Sequence, residues 1–258
     1  DVVRSRGLGD VYKRQMLNHE GGILDDLIVY YLGNKSFRIV SNCATREKNL
    51  SWLSKIAEPF DVGVDFKSDY SILALQGPNS YKFIKSHIEK DISKFSVHNT
   101  DDVMIASTGY TGELGYEIIC DQEKGIKFWN EFISNDVQPI GLAARDTLRL
   151  EAGLNLYGTD MDETNTPYDS NIGWTIDLND KDRDFIGKNA LEEKRDSKKI
   201  LKGFYTEERG VLRGGAEVVF EGGSGVVTSG TWSPTFKKNI GFCRVDKNCG
   251  EIGSAVLR

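Results

Sequence analysis

A chain of 258 residues, 39% hydrophobic and 28% charged, has room for one large domain or two to three smaller ones. No apolar run is long enough to cross a bilayer as a helix, and a formal net charge of −6 argues against a nucleic-acid binder, which carries a basic surface. Cys43, Cys120, Cys243 and Cys249 form no C-x-x-C pair, and His19, His87 and His98 have no ligand spacing with them. Reduced thiols in a cytosolic setting are therefore expected, with neither a disulfide frame nor a zinc site.

Residues 1–15 show neither the apolar core of a signal peptide nor a regular period, and they stand apart from the fold reasoning as an unmatched leader. From there, alternating or β-branched runs predict strands over 25–32, 36–41, 70–75, 102–107 and 115–119. Helical spacing appears in 45–57, where Leu50, Leu53 and Ala57 share a face, and more briefly in 79–88. It recurs in 124–134 through Ile126, Trp129 and Ile133, and in 142–152, a run of strong helix formers stopped by Gly153. The cations Lys194, Arg195, Lys198, Lys199 and Lys202 predict a solvated link at 195–202. Beyond it lies a Gly-rich β domain with strands at 216–220, 225–228 and 239–245, and a last one begins at Gly253 and is cut at Arg258. Strands and helices mix without a βαβ rhythm, so the fold class is α+β with antiparallel sheets.

Three segments carry candidate chemistry. In Ser107-Thr-Gly-Tyr-Thr-Gly-Glu-Leu-Gly-Tyr-Glu117 the glycines permit tight turns and close backbone approach, and Tyr110 and Tyr116 offer aromatic surface. A carboxylate at Glu117, fixed on a strand, can accept two parallel hydrogen bonds from an N–H/NH₂ edge such as a pterin or guanine presents. The alternative is a Gly-rich hairpin with a solvent-facing glutamate. Asp25 and Asp26 enter a strand together, so only one of them can face a cleft as a base or cation stabiliser; otherwise both are turn-exit carboxylates in water. Arg145 and Arg149 lie one helical turn apart, and either holds a ligand carboxylate or both join an ion-pair ladder with Asp146 and Glu151. No P-loop, dinucleotide fingerprint or nucleophile elbow is present, so carboxylates and a bound organic group are left to carry any catalysis.

Several blocks stand in one order along the chain: Met16-Leu-Asn with Gly21-Gly-Ile-Leu-Asp-Asp-Leu-Ile-Val-Tyr, Asn42-Cys-Ala-Thr-Arg-Glu-Lys, Leu75-Gln-Gly-Pro, and Gly109-Tyr-Thr-Gly-Glu-Leu-Gly-Tyr-Glu. Gly141-Leu-Ala-Ala-Arg-Asp-Thr-Leu-Arg-Leu-Glu-Ala-Gly, Tyr157-Gly with Met161-Asp-Glu-Thr, and Thr228-Ser-Gly-Thr-Trp-Ser-Pro-Thr continue the series. Together they resemble the aminomethyltransferase (T-protein) family of the glycine cleavage system. The resemblance implies a clover-leaf of three domains, 16–68 with 160–198, 69–159, and a C-terminal β-barrel-like domain at 199–258, around a folate pocket. It also implies that the family's N-terminal segment and last strands lie outside this chain. It places the catalytic aspartate at Asp25, the pterin-edge carboxylate at Glu117, the folate-contacting arginine at Arg145 and a pocket-wall aromatic at Tyr110. The implied reaction moves a one-carbon unit from the aminomethyl-lipoyl arm of an H-protein to tetrahydrofolate, releasing ammonia, with no metal. A folate-dependent demethylase, the folate domain of an amine oxidase, and a non-catalytic folate binder are the other readings of the same fold.

Overall fold

The computed structural model describes residues 11–255 apart from 101, 209 and 211. Residues 1–10 of the leader and the end of the last expected strand, 256–258, lie outside the described residues. By contact density the described chain forms two compact units, residues 11–13 with 27–145, and residues 14–26 with 146–255. Residues 27–68 thus fall with 69–145, a different grouping from the three-part division expected above.

β2 (Ile23–Gly33), which belongs to the first unit from Leu27 onward, lies between β1 (Val11–Leu17) and β3 (Ser36–Val40). β2 and β3 are joined through Asn34 and Lys35, both at positive φ, the left-handed pair that a two-residue hairpin turn with matching twist requires. β1 is a strand that the sequence did not signal. Tyr-Lys-Arg-Gln offers no apolar alternation, and it is pairing with β2 that holds it extended.

Helix α1 (Arg46–Ala57) follows, and then an antiparallel sheet forms from β4 (Tyr70–Gln76), β5 (Val97–Asn99), β6 (Val103–Ala106) and β7 (Gly115–Asp121) in the order β4-β7-β6-β5. The period of two along β7 sorts its side chains. Ile118 and Cys120 face a core with Leu75, Ile84, Ile105 and Phe132, under α2 (Ser80–Ile84) and α3 (Gln122–Ser134). Ile119 faces the other side and packs with Val11, Tyr30, Met104 and Ala106. That second core ties the β2–β3 hairpin to the four-stranded sheet and explains why residues 27–68 join this unit.

α3 starts at Asp121, whose carboxylate accepts the Lys124 N–H at 2.8 Å and so satisfies a free donor of the first turn. The face Ile126, Trp129 and Ile133 is continuous, as its spacing implied, yet it is 61%, 51% and 40% exposed. The buried face is instead Gly125 and Phe132, with Phe128 packed beside them. Gly125 packs closely there, since a Cβ would come within 3.3 Å of Leu73 Cδ1. Helix α4 (Leu142–Glu151) crosses from one unit's residues to the other's.

In the second unit, after α5 (Lys188–Glu193), an antiparallel sheet runs β12-β9-β10-β11-β8, from β8 (Lys199–Thr206), β9 (Glu217–Phe220), β10 (Gly223–Ser233), β11 (Lys238–Asp246) and β12 (Gly253–Ala255). The solvated link expected at 195–202 is overturned in its second half: Lys199–Lys202 opens β8 and pairs with β11. Leu201 points into a cluster with Leu150, Ile240 and Phe242, while Lys202 carries its ammonium out to the Cys249 carbonyl. The inner core is Leu212, Val218, Val227, Cys243, Val245 and Cys249. Among the described residues no helix is long and apolar enough to cross a membrane.

Candidate functional site

The segment from Ser107 to Tyr116 links β6 to β7 and opens β7; three of its hydrogen bonds go to one side chain, Gln76 at the end of β4, and Ser80 Oγ donates to the Leu114 carbonyl at 3.4 Å. Gln76 Nε2 donates to the Thr108 carbonyl at 3.2 Å and to the Tyr116 carbonyl at 3.4 Å, while its Oε1 accepts the Thr111 hydroxyl at 3.1 Å. Glycines are needed where this amide lies flat against the loop. A Cβ at Gly109 would stand 1.9 Å from Gln76 Oε1, and one at Gly115 would stand 2.4 Å from Gln76 Cδ. Two of the loop's glycines thus serve close approach by a protein side chain, a purpose composition alone did not reveal.

Glu117 follows on β7, half-buried and on the same face as Ile119. Thr108, buried at the loop's start, donates its hydroxyl to Glu117 Oε2 at 2.5 Å. Beside them stands Tyr30 of β2, completely buried, whose hydroxyl has no hydrogen-bond partner among the described residues. Burial pushes the Tyr30 phenol far above the usual tyrosine range, the Glu117 charge adds to this, and the neighbouring Thr108 hydroxyl offsets part of it. The phenol is therefore a neutral donor at any physiological pH. A half-buried carboxylate braced on one oxygen, with two hydroxyls around it, suits a ligand edge that presents adjacent N–H donors.

Tyr110 and Arg145 are brought together: the Arg145 guanidinium lies 4.9 Å from the Tyr110 ring centroid, a cation–π contact that leaves the fork's edge for an anion. Arg149, the other arginine of the pair, does something else. It is 1% exposed and spends its donors inside the second unit, on Asp146 Oδ1 (2.7 Å), Asp160 Oδ2 (2.6 Å), the Leu154 carbonyl (3.1 Å) and Ser229 Oγ (2.9 Å). Of the two arginines, Arg149 is thus the one committed to partners inside the protein.

Asp160 is fully buried, and its Oδ1 also accepts the hydroxyls of Thr228 (2.5 Å) and Ser229 (2.6 Å). Successive strand residues normally face opposite ways. Here an irregularity in β10 between Val227 and Ser229 lets both hydroxyls turn to one carboxylate oxygen.

Asp25 lies in the short stretch of β2 that belongs to the second unit. It is 0% exposed, whereas Asp26 is only half-buried and accepts from Gln15 Nε2 at 3.2 Å. Of the two aspartates the buried one is Asp25, whose Oδ1 accepts the Asp26 N–H at 2.8 Å. Its approach is set by a turn in which Asn18 Oδ1 accepts the N–H groups of Glu20 and Gly22. The Ile23 N–H donates to the carbonyls of Asp162 and Asn165 at 3.2 and 3.1 Å. Gly22 is required because a Cβ would fall 1.8 Å from the Glu163 carbonyl oxygen. Two sequence blocks 140 residues apart, Gly21-Gly and Met161-Asp-Glu-Thr, therefore meet to carry this aspartate (Gly21 to Met161).

Gln76, Thr108 and Tyr30 were not singled out from sequence, though all three lie within the quoted segments. Nothing in a linear pattern marks a hydroxyl that reaches nine residues ahead or an amide that reaches across paired strands. Among the described residues, no group of three or more His, Cys, Asp or Glu is placed to hold a metal ion.

Comparison with known proteins follows this geometry. The GCVT N-terminal domain family matches residues 3–180, and the glycine cleavage T-protein C-terminal barrel domain family matches residues 199–257. The first match takes in most of the stretch that sequence reasoning had set aside as a leader. An aminomethyltransferase of Stenotrophomonas maltophilia is 46% identical over 256 residues, covering 94% of this chain and 68% of that protein. The crystal structure of glycine cleavage system aminomethyltransferase T from Bartonella henselae superposes with a TM-score of 0.90 at 29% identity, covering 98% of this chain and 73% of that one.

Proposed function

From the premise that this chain belongs to the glycine cleavage T-protein family and is an aminomethyltransferase, we propose that its donor is the aminomethyl-lipoyl arm of an H-protein and its acceptor tetrahydrofolate. The products are ammonia and 5,10-methylenetetrahydrofolate. The observation that carries this reading is the family match through both domains at 46% identity to an aminomethyltransferase.

Tetrahydrofolate supplies a nucleophilic nitrogen, and the residues divide the remaining work. Glu117, braced by Thr108, receives the N–H/NH₂ edge of the pterin and fixes its orientation. Arg145, seated over Tyr110, takes the carboxylate-bearing end, with the Tyr110 ring as a wall. Asp25, shut away from water, orients and deprotonates the attacking nitrogen or stabilises the cation that forms as amine leaves. Holding both reactants in one geometry supplies much of the acceleration. No residue role here needs a metal, and a cytoplasmic site of action accords with four free cysteines.

Incubating the protein with aminomethylated H-protein and tetrahydrofolate tests the proposal. Ammonia and methylenetetrahydrofolate are expected in equal amounts. Turnover of small methylated amines without H-protein, and none with it, would overturn it.

A further inference from the structure

The geometry points to Tyr30 as a positioning residue for the Glu117 carboxylate, acting through Thr108; this inference rests on the pterin-edge reading of Glu117. Thr108 spends its one proton on Glu117 Oε2 and has lone pairs left to accept. Tyr30 supplies the only group of the three with an uncommitted proton: its hydroxyl is buried, beside Thr108 and Glu117, and without a partner among the described residues. A donor chain from Tyr30 O–H to Thr108 Oγ1, and from Thr108 O–H to Glu117 Oε2, has each oxygen used in the sense its chemistry allows. It fixes Thr108 as a donor toward Glu117. It also turns the carboxylate so that both oxygens meet a ligand's paired N–H groups. The chain closes when ligand N–H groups load Glu117 and draw Thr108 toward Tyr30.

The surrounding packing makes this more than an accident of a core tyrosine. The ring of Tyr30 lies among Val11, Met104, Ala106 and Ile119, an apolar setting that phenylalanine would fill equally well. A buried hydroxyl without a partner lowers the stability of the free protein. A purely structural residue at this position would gain by losing it, so the hydroxyl and the packing have opposite consequences that can be measured apart.

The test uses the full chain and tetrahydrofolate itself as the probe, with titration calorimetry for affinity and thermal unfolding of the free protein for stability. Tyr30→Phe is expected to leave the Tm unchanged or higher while the Kd for tetrahydrofolate rises about fivefold, the equivalent of one hydrogen bond. Thr108→Val is expected to weaken binding further, and Thr108→Ser, which keeps the hydroxyl, to restore it. In a Glu117→Gln background, Tyr30→Phe is expected to cost no additional affinity. Wild-type affinity in Tyr30→Phe, or an equal loss with and without Glu117, overturns the inference, as does a lowered Tm accompanied by loss in both backgrounds. If Glu117→Gln itself binds like the wild type, the pterin-edge reading falls first and takes this inference with it, so the two failures are distinguishable.

Discussion

Replacing Asp160 by asparagine isolates the buried network of the second unit. The Asp160 carboxylate accepts from Thr228 and Ser229 on one oxygen and from Arg149 Nη1 and the Leu156 N–H on the other. Asparagine keeps the shape but turns one acceptor into an NH₂ donor. Placed at the Oδ2 position, that group opposes two donors; placed at Oδ1, it forces both hydroxyls to rotate away. In either orientation Arg149, 1% exposed, loses its buried counter-charge, while Asp146, whose side chain is 43% exposed, is better screened. Breaking a buried, hydrogen-bonded ion pair costs about 3–5 kcal/mol, a large share of the roughly 5–15 kcal/mol that holds a typical domain folded. Urea unfolding followed by far-ultraviolet circular dichroism measures the shift. The companion double variant Arg149→Met with Asp160→Leu removes both charges and should recover part of the loss, the remainder coming from the Thr228 and Ser229 hydroxyls and the Leu156 N–H that lose their acceptor. A single Asp160→Asn variant within about 1 kcal/mol of wild type would refute the network's stabilising role, that being no more than one ordinary hydrogen bond.

Glu117→Gln should raise the Kd for tetrahydrofolate about tenfold or more, because charge-assisted bonds to the ligand edge become neutral ones and one acceptor becomes a donor; calorimetry checks it. Asp25→Asn should lower turnover about a hundredfold or more while tetrahydrofolate affinity stays near wild type, as expected for a group that acts on the proton in flight. Gly109→Ala should force Gln76 out of its seat and destabilise the protein by about 1–3 kcal/mol, seen as a lower urea midpoint. For thiol chemistry, burial pushes Cys243 up to about 11, with Cys249 nearby adding to the rise, so at pH 8 it stays protonated. Cys43 is exposed, and a native-state titration with a thiol reagent at that pH should label Cys43 quickly and Cys243 only on unfolding.

Sequence reasoning succeeded where a single period dominates. β7 read as a strand because Ile118 to Cys120 are apolar on both faces, and both faces turn out to be covered; β4 read as one too, though only its Leu73 and Leu75 side is covered while Ile72 and Ala74 are exposed. It failed where long polar side chains hide an extended backbone, as with Lys199 and Lys202 in β8 and Lys13 to Gln15 in β1. α3 was located well, yet its core side was taken from the larger residues. Gly125, which packs because it is small, carries no signal on a hydrophobic pattern. At the candidate site, Glu117 and Asp25 stood out by residue type with bland alternatives beside them, and only the ordered family blocks attached roles to them. Their environment depends on strand pairings and loop contacts across tens to more than a hundred residues, which no local window contains. Arg149 shows the same gap from the other direction, because a helix-surface spacing gave no warning of a guanidinium closed inside the second unit.

Gln76 ends β4, and its amide joins the loop's two ends and its middle at once. The segment from Thr108 to Tyr116 is thereby tied to the β4–β7 register instead of riding on its own hinges. Its amide protons should then exchange with solvent together with those of β4 and β7, in one cooperative opening and not as a separately fraying lid. Entry of a ligand to Glu117 would have to be arranged by segments other than this loop.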